Sequence, residues 1–281
     1  MSQSLGQSGH FDCLEPIILH LAGNDMHAEH ERRMASADLI LAQATAANFP
    51  IAHLQSARLR ARLGERVIVW PNMFYSGQQP FARYITLPGG ERLLGPLEAV
   101  HDLRIFWDWW QERHGSDIRP QRPERELVRE ISALSLRDLL QRETNCDIPI
   151  SDVIQAHSHN RRLFFTFNHP TRFLIDTLCD RILSRIGLPG LPASQARGSE
   201  PLDRYVIPSS GFPRSSQELY TGNPVLLNAP ERIAITPARQ SYSLSGLRTA
   251  FFQCYDHMAA RLNLGTIRVT PDMPDTPFPL P

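Results

Sequence analysis

The sequence predicts an α/β fold: a central, mostly parallel sheet flanked by helices, with a helical insertion and a long C-terminal loop-plus-helix. Three observations carry this. Asp38-Leu39-Ile40-Leu41-Ala42 and Arg66-Val67-Ile68-Val69-Trp70 are short apolar runs, the second β-branched and closed by Pro71-Asn72, as buried strands are. Between them, Ala52 to Leu63 reads as a helix stopped by Gly64, and strand, helix and strand at this spacing make a parallel crossover unit. Farther on, Leu163-Phe164-Phe165-Thr166-Phe167 is strand-like and runs through Asn168-His169-Pro170 into a strongly patterned helix.

The other elements follow from local signals. Pro16 to Leu21 reads as a short helix entered through a first-turn proline, and His27 to Met34 as a second. Leu97 to His114 is an aromatic-rich helix carrying Phe106, Trp107, Trp109 and Trp110, a cluster more typical of helix packing than of a cofactor platform. After a linker at Arg119 to Pro123, helices are expected over Glu124 to Ala133, Leu136 to Gln141 and Ser151 to His157. The second is entered through a cap-like Ser135-x-x-Asp138. Together these form a helical insertion over residues 97–160 of a single domain spanning 1–281. Pro170 suits the first position of the next helix, whose buried stripe is Phe173, Leu174, Leu178, Ile182 and Ile186, ended by Gly187 and Pro189. Pro189 to Gln240 reads as a long loop, Leu244 to Leu262 as a final helix, and Pro271 to Pro281 as an extended tail.

Composition narrows the function. The 281 residues carry zero formal net charge, which argues against nucleic acid or an anionic membrane as partner. No apolar run approaches the roughly 20 residues that span a bilayer, and the polar start lacks a secretory pattern, so the expected location is the cytoplasm. Cys13, Cys146, Cys179 and Cys254 are scattered, which disfavours a disulfide framework or a zinc knuckle. Every one of the 29 basic residues is arginine. The absence of lysine removes Schiff-base chemistry, the P-loop and the kinase lysine, while arginine still suits phosphate.

His169 lies where a strand feeds a helix, near the backbone N–H groups of a helix start, as a general base or as a capping or packed residue. Asn168 and Arg172 add a donor and a phosphate-binding fork. Threonine at 166 stands where an SGNH-type hydrolase would carry aspartate. Cys13, ahead of the Pro16 helix, is a candidate nucleophile or a small buried residue. The loop Met73 to Pro80, with Ser76, Gly77 and Gln78, follows a strand end where ligands bind in α/β sheets, or is an ordinary turn. His27-x-x-His30-Glu31 and His157-x-His159 have ligand-like spacing without further named partners, so no metal is expected.

Four stretches in order resemble the WcbI-type polysaccharide biosynthesis acetyltransferases. They are Ala37 to Gln43, Val69 to Pro80 with its Trp-Pro-Asn and Tyr75-Ser76-Gly77-Gln78-Gln79-Pro80, Phe165-Thr166-Phe167-Asn168-His169-Pro170, and the helix ending Ala250-Phe251-Phe252-Gln253-Cys254-Tyr255-Asp256. The resemblance implies a coenzyme A-dependent O-acetyltransferase acting on a sugar of capsular or surface polysaccharide, with acetyl-coenzyme A as co-substrate. His169 would be the general base or a triad member. Gln43, Ser76, Gly77 and Gln78 would line the pocket, and arginines would meet the coenzyme phosphates. Family members open with an apolar strand leading into a Gly-Asn-Cys-Gln turn. Here Gly9-His10-Phe11-Asp12-Cys13 stands in its place with the cysteine displaced. A non-catalytic carbohydrate- or nucleotide-binding protein, or an esterase using water as acceptor, are the alternatives.

Overall fold

The computed structural model describes residues 1–192, 199–210 and 219–278. In chain order the elements begin α1 (Ser2–Gln7), α2 (His27–Ala35), β1 (Ile40–Gln43), α3 (Ser56–Leu63) and β2 (Val67–Trp70). They continue β3 (Ala82–Thr86), β4 (Val100–Asp102), α4 (Leu103–His114), α5 (Glu124–Glu143), α6 (Ser151–His157) and α7 (Arg172–Arg185). The last are β5 (Tyr220–Gly222), β6 (Val225–Asn228), β7 (Arg232–Ile235), β8 (Gln240–Tyr242), α8 (Leu244–His257) and β9 (Arg268–Thr270). Two compact units share them. The first holds Met1–Phe74, Leu136–His157 and Pro170–Pro201; the second holds Tyr75–Ser135, Ser158–His169 and Leu202–Pro281. No helix among the described residues is long and apolar enough to cross a membrane.

In the first unit, β1 and β2 pair in parallel, Ile40 opposite Val67 and Gln43 opposite Trp70, with α3 in the connection between them. Met34 of α2, Leu54, Leu59 of α3, Val67 and Val69 close a core over the strands. The expected large parallel sheet does not form: among the described residues this sheet has two strands. On the outer edge of β2, Asp147 stands where a further strand would pair. Its N–H donates to the Val69 carbonyl at 2.7 Å and its Oδ2 accepts from the Val69 N–H at 2.7 Å, so both ladder groups of Val69 are already used. Arg60 completes the plug with a 2.6 Å ion pair to the same carboxylate.

The helix expected at Pro16 to Leu21 is absent; residues 11–18 have no regular structure and a turn follows. α7 starts at Arg172 with Thr171 as its cap position, so Pro170 precedes the helix rather than opening it. Its buried residues include Leu174, Ile175, Leu178 and Ile182, and Gly187 ends the segment at φ 74°. The two helices expected on either side of Ser135 are one, α5, with Ser135 inside it.

The second unit is antiparallel. β3 lies between β4 and β9, and β5–β8 and β6–β7 are separate pairs. Of the loop predicted from Pro189 to Gln240, residues 193–198 and 211–218 lie outside the described residues, and the rest contains β5, β6, β7 and the start of β8. Residues 279–281 of the predicted tail also lie outside the described residues, and β9 ends just before it. α4 begins at Leu103 because the buried Asp102 carboxylate caps it, accepting from the Arg104 N–H at 3.1 Å. Burial pushes the Asp102 carboxyl up, but the adjacent Arg104 guanidinium outweighs it and holds the group below the usual range. α4 packs on α8, Trp109 donating to Asp256 Oδ1 at 2.8 Å while Arg113 grips the same carboxylate at 2.8 and 2.7 Å.

His101 of β4 is fully buried. The Leu93 carbonyl can only accept, so Nε2 carries the proton at 3.0 Å and Nδ1 accepts from the Tyr255 hydroxyl at 3.0 Å. Burial pushes the imidazole down to about 4 from 6.5 against the pull of the Leu93 carbonyl. As pH falls the unfolded chain takes the proton first, so stability present above 6.5 is lost towards 4, by roughly 3 kcal/mol. Melting curves across that range should show the loss, and His101→Gln should flatten it.

Candidate functional site

The loop after β2 is a scaffold built from its own side chains. Gln78 is 2% exposed and its amide uses every hydrogen-bonding position it has. Nε2 donates to the carbonyls of Ser158 at 2.8 Å and Arg161 at 2.7 Å; Oε1 accepts from the N–H groups of Leu163 at 2.9 Å and Phe164 at 3.2 Å. Gln79 Nε2 donates to the Phe164 carbonyl at 2.9 Å. The Ser76 N–H donates to Ser135 Oγ at 2.8 Å, and Ser132 Oγ donates to the Gly77 carbonyl at 3.2 Å. Gly77 must be glycine here, since a Cβ would lie 2.1 Å from the Tyr75 hydroxyl oxygen.

Clamped in this way, residues 163–169 turn instead of forming the expected strand. The Phe165 N–H donates to the His169 carbonyl at 2.8 Å and the His169 N–H to Thr166 at 3.3 Å. Tyr75 and Ile207 donate to the carbonyls of Phe167 and Phe165 at 2.8 and 2.9 Å. The Thr166 hydroxyl donates to Asn168 Oδ1 at 3.0 Å, which aims Asn168 Nδ2 at the Tyr84 hydroxyl, 2.8 Å away. Tyr84 stands edge-on to Phe167, and the Arg92 guanidinium lies 3.7 Å from its ring centre.

His169 emerges half-buried from this turn. Its Nδ1 is buried with no hydrogen-bond partner, and its ring centre is 6.3 Å from that of Tyr205. Burial pushes the imidazole below its ordinary value and the Glu98 carboxylate pulls it back up. Burial, reinforced by Glu98, raises the Tyr205 phenol, while burial raises Tyr84 against the opposing effects of Arg92 and Asn168. Glu98 and Arg92 also line a cavity of about 900 Å³ with Leu87, Leu94, Ile233 and Met258. A half-buried imidazole that burial holds toward its neutral form, close to the Tyr205 ring, has the character of a group that takes a proton from a hydroxyl.

In the first unit, Cys13 is exposed within the irregular stretch, so the helix-start argument for its activation does not apply. It lines a cavity of about 560 Å³ with His10, Phe11, Asp38 and Leu39. Gln43 lines another of about 400 Å³, and the two share Leu14, Pro16, Ala37, Leu39 and Leu41 as walls. The remaining thiols are less available: burial pushes Cys146 up to about 11 and Cys179 and Cys254 up to about 12. The start of α7 already holds an anion, because Glu200 accepts from the Arg172 N–H at 2.7 Å. Arg172 itself donates to the Ser199 carbonyl through Nε at 2.9 Å and a terminal nitrogen at 2.6 Å.

Cys13, Gln43 and Arg172 thus fall in the first unit, and Ser76, Gly77, Gln78, Asn168 and His169 in the second. The Ser76-Gly77-Gln78 loop and Asn168-His169 are joined through the 158–164 backbone. Glu98, Tyr205, Tyr84 and Arg92 carry no motif that sequence reasoning had singled out. The one local signal is the turn-forming Gly95-Pro96 just before Glu98. His27, His30 and His53 form a cluster of their own: His27 stacks on His53, and His30 Nδ1 lies 2.9 Å from His53 Nε2. Among the described residues no group of three or more His, Cys, Asp or Glu is arranged to hold a metal.

The family model of the polysaccharide biosynthesis enzyme WcbI matches residues 6–191. The chain is also similar to a solved structure of WcbI, described as a novel polysaccharide biosynthesis enzyme in its native form without a disulfide bond between coenzyme A and a cysteine. That likeness has a TM-score of 0.60 at 19% identity, covering 88% of this chain and 80% of the other, and it speaks to the fold. No curated protein matches the chain.

Gln78→Ala would strand the buried N–H groups of Leu163 and Phe164 and remove two further bonds to the carbonyls of Ser158 and Arg161. It should cost about 2–4 kcal/mol in urea unfolding, more than an exposed glutamine in the same protein would.

Proposed function

The chain belongs to the WcbI family of polysaccharide biosynthesis enzymes, and on that premise we propose that it transfers an acetyl group from acetyl-coenzyme A to a sugar hydroxyl. The acceptor would belong to a capsular or surface polysaccharide. The observation that carries this is the half-buried His169 imidazole, carried on a turn held by backbone hydrogen bonds and pushed by burial toward its neutral form. Such a group accepts the hydroxyl proton as the sugar oxygen attacks the thioester carbonyl. The C–O bond forms, the C–S bond breaks, and the coenzyme leaves as its thiol. Catalysis of this kind contributes about 10²- to 10⁴-fold from the base alone.

Within the first unit, and separately from His169, the paired cavities at Cys13 and Gln43 have a lining that would suit the arm of coenzyme A. They are walled by Leu14, Pro16, Leu39 and Leu41, which suit an apolar arm, and Cys13 supplies a thiol at the surface. The solved relative is described by reference to a disulfide between coenzyme A and one of its cysteines, and Cys13 is the exposed cysteine here. In this reading Cys13 either receives the acetyl group from the thioester or lies beside the coenzyme thiol without reacting.

Titration calorimetry with coenzyme A should show saturable binding; its absence would remove the transfer reading. His169→Ala should lower acetyl-coenzyme A consumption by at least about 100-fold with coenzyme affinity nearly unchanged. Binding without any thioester consumption in the unaltered protein would favour the non-catalytic alternative. With coenzyme A disulfide, intact-mass measurement should show one adduct, and Cys13→Ser should abolish it.

A further inference from the structure

We propose that His30 and His53 form a proton-operated latch, which fastens α2 to the turn Ala52–Leu54 near neutral pH and releases it in acid.

The contact is made by two ring nitrogens, His30 Nδ1 and His53 Nε2, 2.9 Å apart. At that distance a single hydrogen lies between them, donated by one neutral ring and accepted by the other. One added proton can settle on an outer nitrogen without disturbing the bond. A second sets N–H against N–H between two like charges, and the contact cannot survive it. His30 is 1% exposed, so its ring has no water to turn to while it stays in place. Relief requires α2 and the turn to separate.

The surrounding groups set the direction. His27, one turn earlier on α2, stacks on His53 with ring centres 4.2 Å apart, and its Nε2 lies 3.3 Å from the Glu31 carboxylate. Arg62 of α3 pairs with the same carboxylate at 2.5 Å. Burial pushes the Glu31 carboxyl up, but Arg62 and then His27 outweigh it and hold the group below its usual range, so this anchor persists in acid. For His53, burial acts first, then His27 and His30. With Arg62 they push the imidazole below its ordinary value, and Glu31 alone opposes them. The folded protein thus takes this proton later than the unfolded chain does, and stability present above 6.5 is lost as pH falls.

The latch bears on a cavity. Met34 lies one turn beyond His30 on the same face of α2, and Leu54 adjoins His53. Both are buried in one core with Leu59, and all three line the cavity of about 400 Å³ that holds Gln43. Separation of α2 from the turn loosens that wall.

Hydrogen exchange of the full-length protein, read by mass spectrometry and corrected for intrinsic rates, tests this. Between about pH 7.5 and about pH 5.5, protection of the α2 amides should fall roughly 10-fold more than that of α8, which lies in the other unit. His53→Gln should abolish the difference, because an amide can donate to a neutral His30 and accept from a charged one. His27→Ala, which removes an exposed ring, should move the loss about half a pH unit toward acid. Equal loss in α2 and α8 of the unaltered protein, or a loss that neither variant alters, overturns the latch. Coenzyme A affinity should fall over the same range in the unaltered protein and hold in His53→Gln. Coenzyme A binding at neither pH would remove the transferase reading and leave the latch to stand on the exchange result.

Discussion

The buried Gln78 amide is the interaction on which the rest of the candidate site depends. The segment that carries His169 has no ladder of its own, and backbone N–H and C=O groups buried without partners are costly. Gln78 supplies four of those partners from one side chain, and Gln79 a fifth. Each such bond contributes only about 1 kcal/mol net, but leaving its partner unpaired costs more, so the amide and the turn stabilise each other strongly. The Tyr75 N–H then fixes the Phe167 carbonyl, two residues before His169. The histidine is positioned by hydrogen bonds to irregular backbone, and a loop whose composition suggests ligand contact turns out to be its fastening.

Local signals read correctly where the cause was local. β1 and β2 are β-branched or apolar runs, α3 ends at Gly64, and α6 begins and ends where its pattern does. The errors arose where the deciding partner lies far away along the chain. Nothing in Val67 to Trp70 indicates that Asp147 occupies both ladder groups of Val69. Ser135 has the look of a helix cap, yet its hydroxyl accepts from the Ser76 N–H in mid-helix. Leu163 to Phe167 is apolar because it is buried, not because it is extended, and burial alone does not distinguish the two.

The strands of the second unit were hidden for a related reason. β3 contains Arg83 and β4 contains His101 and Asp102, all buried, and such residues break the alternation by which a strand is recognised. Each is tolerated for its own reason. His101 is neutral and bonded at both ring nitrogens, and Asp102 is gripped by Arg104 and approached by the Tyr220 hydroxyl at 3.3 Å. Arg83 donates to the Ala82 carbonyl at 2.8 Å, and burial pushes its guanidinium down to about 9 despite the charge of Asp272. A polar interior of this kind requires specific partners supplied by tertiary structure, and no window of sequence shows them.

The same accounting bears on how His169 is held. Gln78, Asn168 and His101 are satisfied, and satisfied buried groups rigidify what they join. His169 Nδ1 is buried without a partner, but so are Ser76 Oγ, Gln79 Oε1 and Arg83 Nε, so an unpaired atom by itself does not mark a group kept for chemistry. What sets His169 apart is its placement: a half-buried imidazole, lowered by burial, on a turn whose backbone is fixed from Gln78, Gln79 and Tyr75. A side chain presented at the surface of so firmly bonded a segment has a defined orientation, which proton transfer requires. The catalytic candidate therefore rests less on the motif around His169 than on the rigidity with which the fold presents it.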